Sequence, residues 1–464
     1  MGEVEKSGVP TITFANRNFV REFAVFSETW GTPGLPHAVV TDYQFSLADD
    51  RKIQLLMESL GIDVLVDGLT RTPTNGAGYL TDTISLAKVL LNQEVPEVET
   101  FEAADRLEAW EKMNATFVER QWSDGLPLIA PTPEKVEQML AVTRRSADDV
   151  VGVLEPGFGI ATVQKIAING VMAGCKPDQL PVLIAAVEAM TEPAYKLRQI
   201  CTSTTAFTPL LWVNGPIRSR IGMNSGMCCL GPGAPSVVNT AIGRAVRLML
   251  MNIAGSYAGI TDPDSLGSPN KYSMCLAENE EASAWAPFHV DRGYRHDQST
   301  VTLVCAASLK EWNDQRPADP LELIRKLAVT VCDPGGTNSW GWLARGHSSK
   351  NDPEGNPNDC LIIMLPNHAR YLAEAGWTKA GTKEVLHLFA RMPGRLRPGS
   401  KPAWNAKHND GRRAEWDWLP DNLDVEVPMV RSPDNFQIVV AGGDNYKAMV
   451  VPGGNKTVTR LIDE

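Results

Sequence analysis

Three groups of side chains in this 464-residue chain have types and spacings that can do chemistry. The first is Cys175, which follows Gly174 and precedes Lys176-Pro177, where a second helix is expected to begin. A helix N-terminus carries partial positive charge and Lys176 adds a full one. Both lower a thiol pKa and favour a nucleophilic or redox-active thiolate. The bland alternative is a tight-turn cysteine packed between two helices. The second group is Glu278, Glu280 and Glu281, followed by His289 and Asp291. Carboxylates this close raise one another's pKa, which is how a carboxyl group becomes a general acid or base near neutral pH. Glu278, Glu281 and His289 are also donors that suit a divalent metal, although their spacing matches neither HExxH nor an EF-hand loop. Here the alternative is a solvated acidic turn. The third is His368, where a strand is expected to meet a helix. Ligands of α/β folds bind at the carboxyl ends of strands, which places this imidazole as acid, base or ligand; otherwise it is a helix-start residue satisfied by backbone groups. His37, His296, His347, His387 and His408 have weak local context and are expected to be structural or exposed.

A glycine-rich loop, Asn224–Ser236, runs into a helix containing Asn239, with Arg244 and Arg247 just beyond. Free N–H groups at such an entry make an anion cradle. Asn214, Asn224, Ser225 and Arg244 are therefore the expected substrate-binding residues, the alternative being a surface turn. The loop is neither a Walker loop nor a dinucleotide fingerprint, so no nucleotide cofactor motif is present and a divalent metal is the cofactor the residues allow. Asp333–Trp342 and Gly442–Asn445 are further glycine loops, and the latter, following an expected strand, is placed to close over or support a site.

The elements that must position these groups follow from periodicity. Strands are expected at Pro10–Phe14, Ala38–Thr41 and Val64–Val66, with helices at Phe19–Thr29, Ala48–Leu60 and Thr83–Leu91 and a long charged helix over Glu99–Arg120. This alternation predicts a small doubly wound α/β domain over residues 1–120. Residues 121–133, stiffened by Pro127, Pro131 and Pro133, read as a linker. A larger α/β (α+β) domain over 134–464 then carries the site. Its helices are expected at Glu134–Thr143, Val163–Ala173, Leu180–Met190, Val237–Ile253, Leu321–Val331 and Asn367–Gly376. Its strands are expected at Thr208–Val213, Val301–Ala307, Leu361–Leu365 and Phe436–Ala441. Gly394–Pro420 has no clear period, and no internal repeat is visible in the sequence.

A net charge of −11 argues against a nucleic-acid surface. No apolar run approaches the roughly 18 residues of a membrane span, and the first 20 residues lack a signal-peptide core. The expected location is the cytoplasm, where eight cysteines without a CxxC pair default to reduced, mostly buried thiols.

The segments Trp122–Thr132 and Ile166–Pro181, with Val213–Pro216, Asn224–Gly226, Asn239–Leu248, Ala277–Glu281, Pro366–Ala369 and Val439–Gly443, resemble the UGSC-like family. That family is named for a selenocysteine- or cysteine-Gly-Ser-Cys motif in some members. The motif is absent here, and Val4–Thr11 looks like the segment that follows it. Where the motif is present, the resemblance implies sulfur or selenium redox chemistry. For this chain it implies a small Cys- or Sec-containing partner subunit that supplies the motif. The same partner would add the first strand that the N-terminal domain lacks, covering an open sheet edge. The resemblance also singles out Glu278 and Glu281.

The expected function is thus an enzyme, or the large subunit of an oligomeric enzyme complex, acting on a small anionic organic substrate through Cys175, Glu278, Glu281, His289 and His368. Thiol- or selenol-linked redox chemistry is one form. A lyase or hydrolase using the carboxylates and histidine, with or without metal, is the second. A non-catalytic scaffold subunit is the third.

Overall fold

The computed structural model describes residues 12–16, 23, 37–40, 62–70, 98–315, 317, 319–332, 358–396 and 420–463. The helices expected over 19–29, 48–60 and 83–91, the glycine loop at 333–342, the segment 4–11, most of 394–420, and His347 and His408 lie outside the described residues. The chain divides into two units, Met1–Gly125 with Gly255–Asp264, and Leu126–Ala254 with Ser265–Glu464.

In the first unit, strands β1 (Thr13–Asn16) and β2 (His37–Val40) pair in parallel, Thr13 opposite His37, the arrangement a β-α-β alternation requires. Helix α1 (Ile62–Thr70) stands where a strand over Val64–Val66 was expected. A three-residue apolar run is ambiguous, and the wider spacing of Ile62, Leu65 and Leu69, with Asp63 and Asp67 one turn apart, has the helical period. Helix α2 (Arg106–Glu119) begins later than the expected Glu99 because Asp105 caps it, its carboxylate accepting from the backbone N–H groups of Leu107 and Glu108. Its buried Phe117 stacks edge-on with Phe101 and Trp122.

The expected linker is split between the units, and its second half is not loose. Leu128 is fully buried, the Ile129 N–H donates to the Met172 carbonyl, and Arg244 donates to the Leu126 and Pro127 carbonyls. Helices α3 (Pro133–Leu140), α4 (Val163–Ala173), α5 (Leu180–Met190) and α6 (Leu197–Cys201) follow, interrupted by the hairpin of β3 (Val150–Leu154) and β4 (Gly159–Thr162).

Two four-stranded sheets form the heart of this second unit. In the first, β5 (Thr208–Asn214) runs parallel to β6 (Cys275–Ala277) and antiparallel to β7 (Thr300–Ala306), which pairs with β14 (Val458–Leu461). Helices α7 (Ile217–Arg220), α8 (Val237–Asn252) and α9 (Phe288–Asp291) lie between these strands in sequence. In the second sheet, β9 (Cys360–Met364) runs parallel to β12 (Phe436–Val440) and antiparallel to β13 (Lys447–Pro452), which pairs with β8 (Lys310–Asn313). It is accompanied by α10 (Pro320–Val331), α11 (Pro366–Glu374), α12 (Lys379–Phe389) and the short pair β10 (Arg391–Pro393) and β11 (Glu426–Pro428). The sheets face each other through Leu210, Trp212, Leu276 and Val304 on one side and Leu361, Ile363, Val439 and Val451 on the other. Their outer faces carry helices: α5 and α8 on the first, α10, α11 and α12 on the second.

The two sheets are the same supersecondary module twice. Each module runs helix, strand, helices, parallel strand, antiparallel strand, and then sends its next strand into the other module's sheet. Matching registers make Val213 equivalent to Met364, since each opposes its neighbours at the same step (Ala277 and Val301; Val440 and Ala448). The hydrogen bonds agree: Glu278 N–H donates to the Val213 carbonyl at 3.2 Å and Ala441 N–H to the Met364 carbonyl at 3.1 Å. At the pseudo-twofold, equivalent residues Ala306 and Gly453 pair with each other, flanked by the bonds Ala307 N–H to Pro452 O and Gly454 N–H to Cys305 O. The repeat is absent from the sequence because it lies in register and topology, not in residue identity.

Candidate active site

The C-terminal ends of the parallel pair β5 and β6 bring Asn214 and Glu278 together. Glu278 is fully buried. Its Oε2 accepts from Asn214 Nδ2 at 2.5 Å and from the Phe288 N–H at 2.7 Å, and its Oε1 from the Val440 N–H at 3.4 Å. Burial pushes this carboxyl above its ordinary pKa, against the pull of the Lys379 charge and of the donors from Phe288 and Asn214.

The Asn214 amide also donates to Glu280 Oε1 at 2.9 Å, which the Gly215 N–H approaches at 2.8 Å. Gly215 is glycine for a reason: its φ is +83°, and a Cβ there would collide with the Gln298 carbonyl. The turn it permits launches α7, which carries Arg218 into the cluster. The buried guanidinium bonds Glu280 Oε2 at 2.9 Å, both oxygens of Glu281 at 3.0 and 3.3 Å, and the backbone carbonyls of Glu278 (2.6 Å) and Gly215 (3.1 Å). Hydrogen bonding to Arg218 holds the Glu281 carboxyl below its usual pKa, while that side chain remains two-thirds exposed.

Across Glu280 from Arg218 stands His289 on α9, fully buried, with Nδ1 3.8 Å from Glu280 Oε1. Burial pushes this imidazole below its usual pKa, with Glu280 pulling the other way. The backbone of His296 lies near the ring and also favours protonation, but neither ring nitrogen makes a hydrogen bond of acceptable geometry. The exposed His296 ring covers it edge-on at 6.0 Å. The result is a neutral imidazole beside an oriented carboxylate, one layer below the surface.

Of the residues expected from sequence, Asn214, Glu278, Glu281 and His289 meet here. Cys175 does not act as expected, and the low-pKa thiol is corrected: burial, with a smaller contribution from Asp178, pushes it far above the normal thiol range. Its N–H donates to Gly170 O, closing α4 behind Gly174 at φ +93°, and a 3-10 turn, Pro177–Gln179, separates it from α5. Desolvation outweighs what that turn and Lys176 offer. The thiol's electrostatic neighbour is Cys275, which faces α8 on the opposite side of the sheet from Trp212 and Leu276.

His368 lies in the second module. Its Nδ1 is 3.1 Å from the Lys447 carbonyl and its Nε2 3.0 Å from the Asp314 carbonyl, with the Trp312 and Tyr446 rings beside it. A backbone carbonyl stands at each nitrogen, and the neutral ring donates to one of them, which makes it a structural tie. The anion cradle is also corrected. Asn224 Oδ1 accepts from Gly226 N–H, its Nδ2 donates to Met227 O and Ser236 Oγ, and its N–H donates to Asn239 Oδ1. The Ser225 carbonyl accepts from Gly442 N–H, and Arg244 serves the carbonyls named above. A short polar side chain in a glycine-rich loop bonds its own backbone first.

Among the described residues, no three His, Cys, Asp or Glu side chains converge in a metal-binding arrangement. The expected trio of Glu278, Glu281 and His289 is not assembled, because Glu281 is turned onto Arg218. Sequence reasoning passed over Arg218, set His296 aside as structural or exposed, and named Glu280 among the clustered carboxylates without choosing it as a site residue. For Glu280 the signal was available: after a strand, alternate residues share a face, so Glu278 pairs with Glu280 and not with Glu281.

Among the described residues, no helix is long and apolar enough to cross a membrane. No protein-family model matches the chain, and no significant match appears among curated proteins or solved structures.

Proposed function

We propose that the second unit is an enzyme of the lyase or hydrolase type, working by acid–base chemistry on a small organic substrate. Glu280 and His289 form its proton-transfer pair. Asn214, Gly215 and Arg218 fix Glu280, and Glu280 orients and stabilises His289 when the ring takes a proton. Glu278 ties β5, α9 and β12 into one frame beneath them.

One observation carries this reading. The second module builds the same corner without a buried carboxylate: Leu365 takes the place of Asn214 and Ala441 that of Glu278. The module's fold therefore has no need of a buried carboxylate there, and the first module bears the desolvation cost for another purpose. Four of the eight segments resembling the UGSC-like family fall at these two corners, Val213–Pro216 and Ala277–Glu281 at one, Pro366–Ala369 and Val439–Gly443 at the other. The thiol-linked alternative loses its residue with Cys175, leaving only the form in which a partner supplies the redox group.

The test is turnover of a panel of small esters, amides, lactones and hydroxy acids, followed by proton NMR, with wild type, Glu280→Gln and His289→Gln. Wild type should turn over at least one compound, and each folded variant should lose about 10²-fold or more. Full activity in either variant, or no turnover by wild type, overturns the proposal.

A further inference from the structure

We infer that this centre takes water as a reactant, held between Asn214, Thr300 and His289, so that the enzyme hydrolyses or hydrates its substrate. The inference rests on the acid–base reading above and names its second substrate.

Three side chains at this corner end in buried polar atoms that make no hydrogen bond of acceptable geometry: Asn214 Oδ1, Thr300 Oγ1 and the two ring nitrogens of His289. They are neighbours. Asn214 and Thr300 face each other directly in the β5–β7 register, which puts their Cβ atoms about 4.5–5.5 Å apart on one face. Asn214 and His289 approach the same oxygen of Glu280, at 2.9 and 3.8 Å. Each unpaired buried group costs about 1–3 kcal/mol, so a cluster of them is built for an occupant.

The donors and acceptors say what kind. With its NH2 committed to Glu278 and Glu280, Asn214 offers only an acceptor. Thr300 offers a donor and an acceptor, and a neutral imidazole offers one of each. The occupant must therefore donate at least one hydrogen and accept others, which excludes an anion beside Asn214 Oδ1 and Glu280. A cation would need the Glu280 oxygens, already engaged by Asn214, Gly215 and Arg218. Water fits, since a buried water typically makes about three hydrogen bonds.

In hydrolysis a water O–H bond breaks and its oxygen bonds to the electrophilic carbon, while the bond from that carbon to the leaving group breaks and its electron pair departs with the leaving group. In hydration the C–O bond forms as the C=C π bond breaks, its electron pair going to the adjacent carbon. The proton moves to His289, whose imidazolium the Glu280 carboxylate stabilises. It is then passed to the leaving group in hydrolysis, or to the adjacent carbon in hydration. No other reactant is required.

The experiment combines atomic-resolution crystal structures of the full chain and its Thr300→Val variant with turnover in H2(18)O. Expected are a solvent peak within about 2.6–3.2 Å of Asn214 Oδ1 and Thr300 Oγ1, its loss in the variant, and (18)O in the product. The kcat of Thr300→Val should fall about 10-fold, the equivalent of one hydrogen bond, with KM within about twofold and rescue by Thr300→Ser. Unlabelled product, or Asn214, Thr300 and His289 bonded to one another with no solvent among them, overturns the inference. Unlabelled product from turnover that still depends on Glu280 and His289 refutes water alone. Labelled product from turnover indifferent to those two residues refutes the acid–base reading and the inference with it, as does a panel without turnover.

Discussion

Replacing Arg218 with methionine tests the electrostatics of the site at its hub. Methionine keeps most of the apolar stem and removes the guanidinium, so the cost falls on the groups left behind. Glu280, whose side chain is only 7 % exposed, would keep the Asn214 and Gly215 donors but lose its ion-pair partner. Stranding a buried carboxylate in this way costs about 3–5 kcal/mol. The Glu278 and Gly215 carbonyls each lose a donor as well. Glu281, two-thirds exposed, regains water and contributes no more than about 1 kcal/mol. Arg218→Met should therefore destabilise the second unit by about 3–5 kcal/mol, read from urea unfolding followed by tryptophan fluorescence. The double variant Arg218→Met/Glu280→Gln should recover about 2 kcal/mol, because a neutral amide needs no counter-charge, and the cycle isolates that coupling. A single variant costing less than about 1 kcal/mol would refute the reasoning, and so would a double variant no more stable than the single.

Gly215→Ala forces a Cβ against the Gln298 carbonyl at positive φ and should cost about 1–3 kcal/mol in the same urea experiment; a loss below about 0.5 kcal/mol contradicts the close approach. His289 and His368 are held below their ordinary pKa chiefly by burial, so their contribution to stability is intact above about pH 6.5 and is lost as pH falls from there through the lowered folded values. The urea midpoint should drop between about pH 7.5 and 5.5, less steeply in His289→Gln, and a flat midpoint in wild type would exclude neutral buried imidazoles. Glu278 and Asp359, raised by burial, work in the opposite sense: their contribution is present below about pH 4.5 and lost as pH rises through the raised folded values. In native protein, iodoacetamide should label exposed Cys228 first and leave buried Cys175 unreacted until unfolding; labelling of Cys175 at the rate of Cys228 would restore the activated thiol.

Much of the fold was legible because its helices and central strands carry strong periodicity. Val163–Ala173 and Leu180–Met190 fall where the sequence places them, and the expected strands at 208, 301, 361 and 436 are β5, β7, β9 and β12. Several of the strands missed were short or half-exposed. β8 reads Lys-Glu-Trp-Asn, β14 reads Val-Thr-Arg-Leu, and β6 has three residues. Each owes its conformation to a partner far away in sequence, which no local window contains. The site was half legible for the same reason. Glu278 and His289 stood out by residue type, but Arg218 entered through a turn set by Gly215. Cys175 misled because its neighbours in sequence promised a field that its neighbours in space, Cys275 and the α4 terminus, do not supply.

The exchanged strands also set an order of assembly. β14, residues 458–461, completes the first sheet beside β7, whose own module was finished at residue 306. During synthesis the sheet that carries the acidic corner waits with an open edge until residues 458–461 have been made. β8, made long before β13, waits for a sheet that does not yet exist. Cutting the chain between the modules would give two fragments, each holding a strand that belongs to the other. Neither fragment would close alone, and the two mixed together would complement each other.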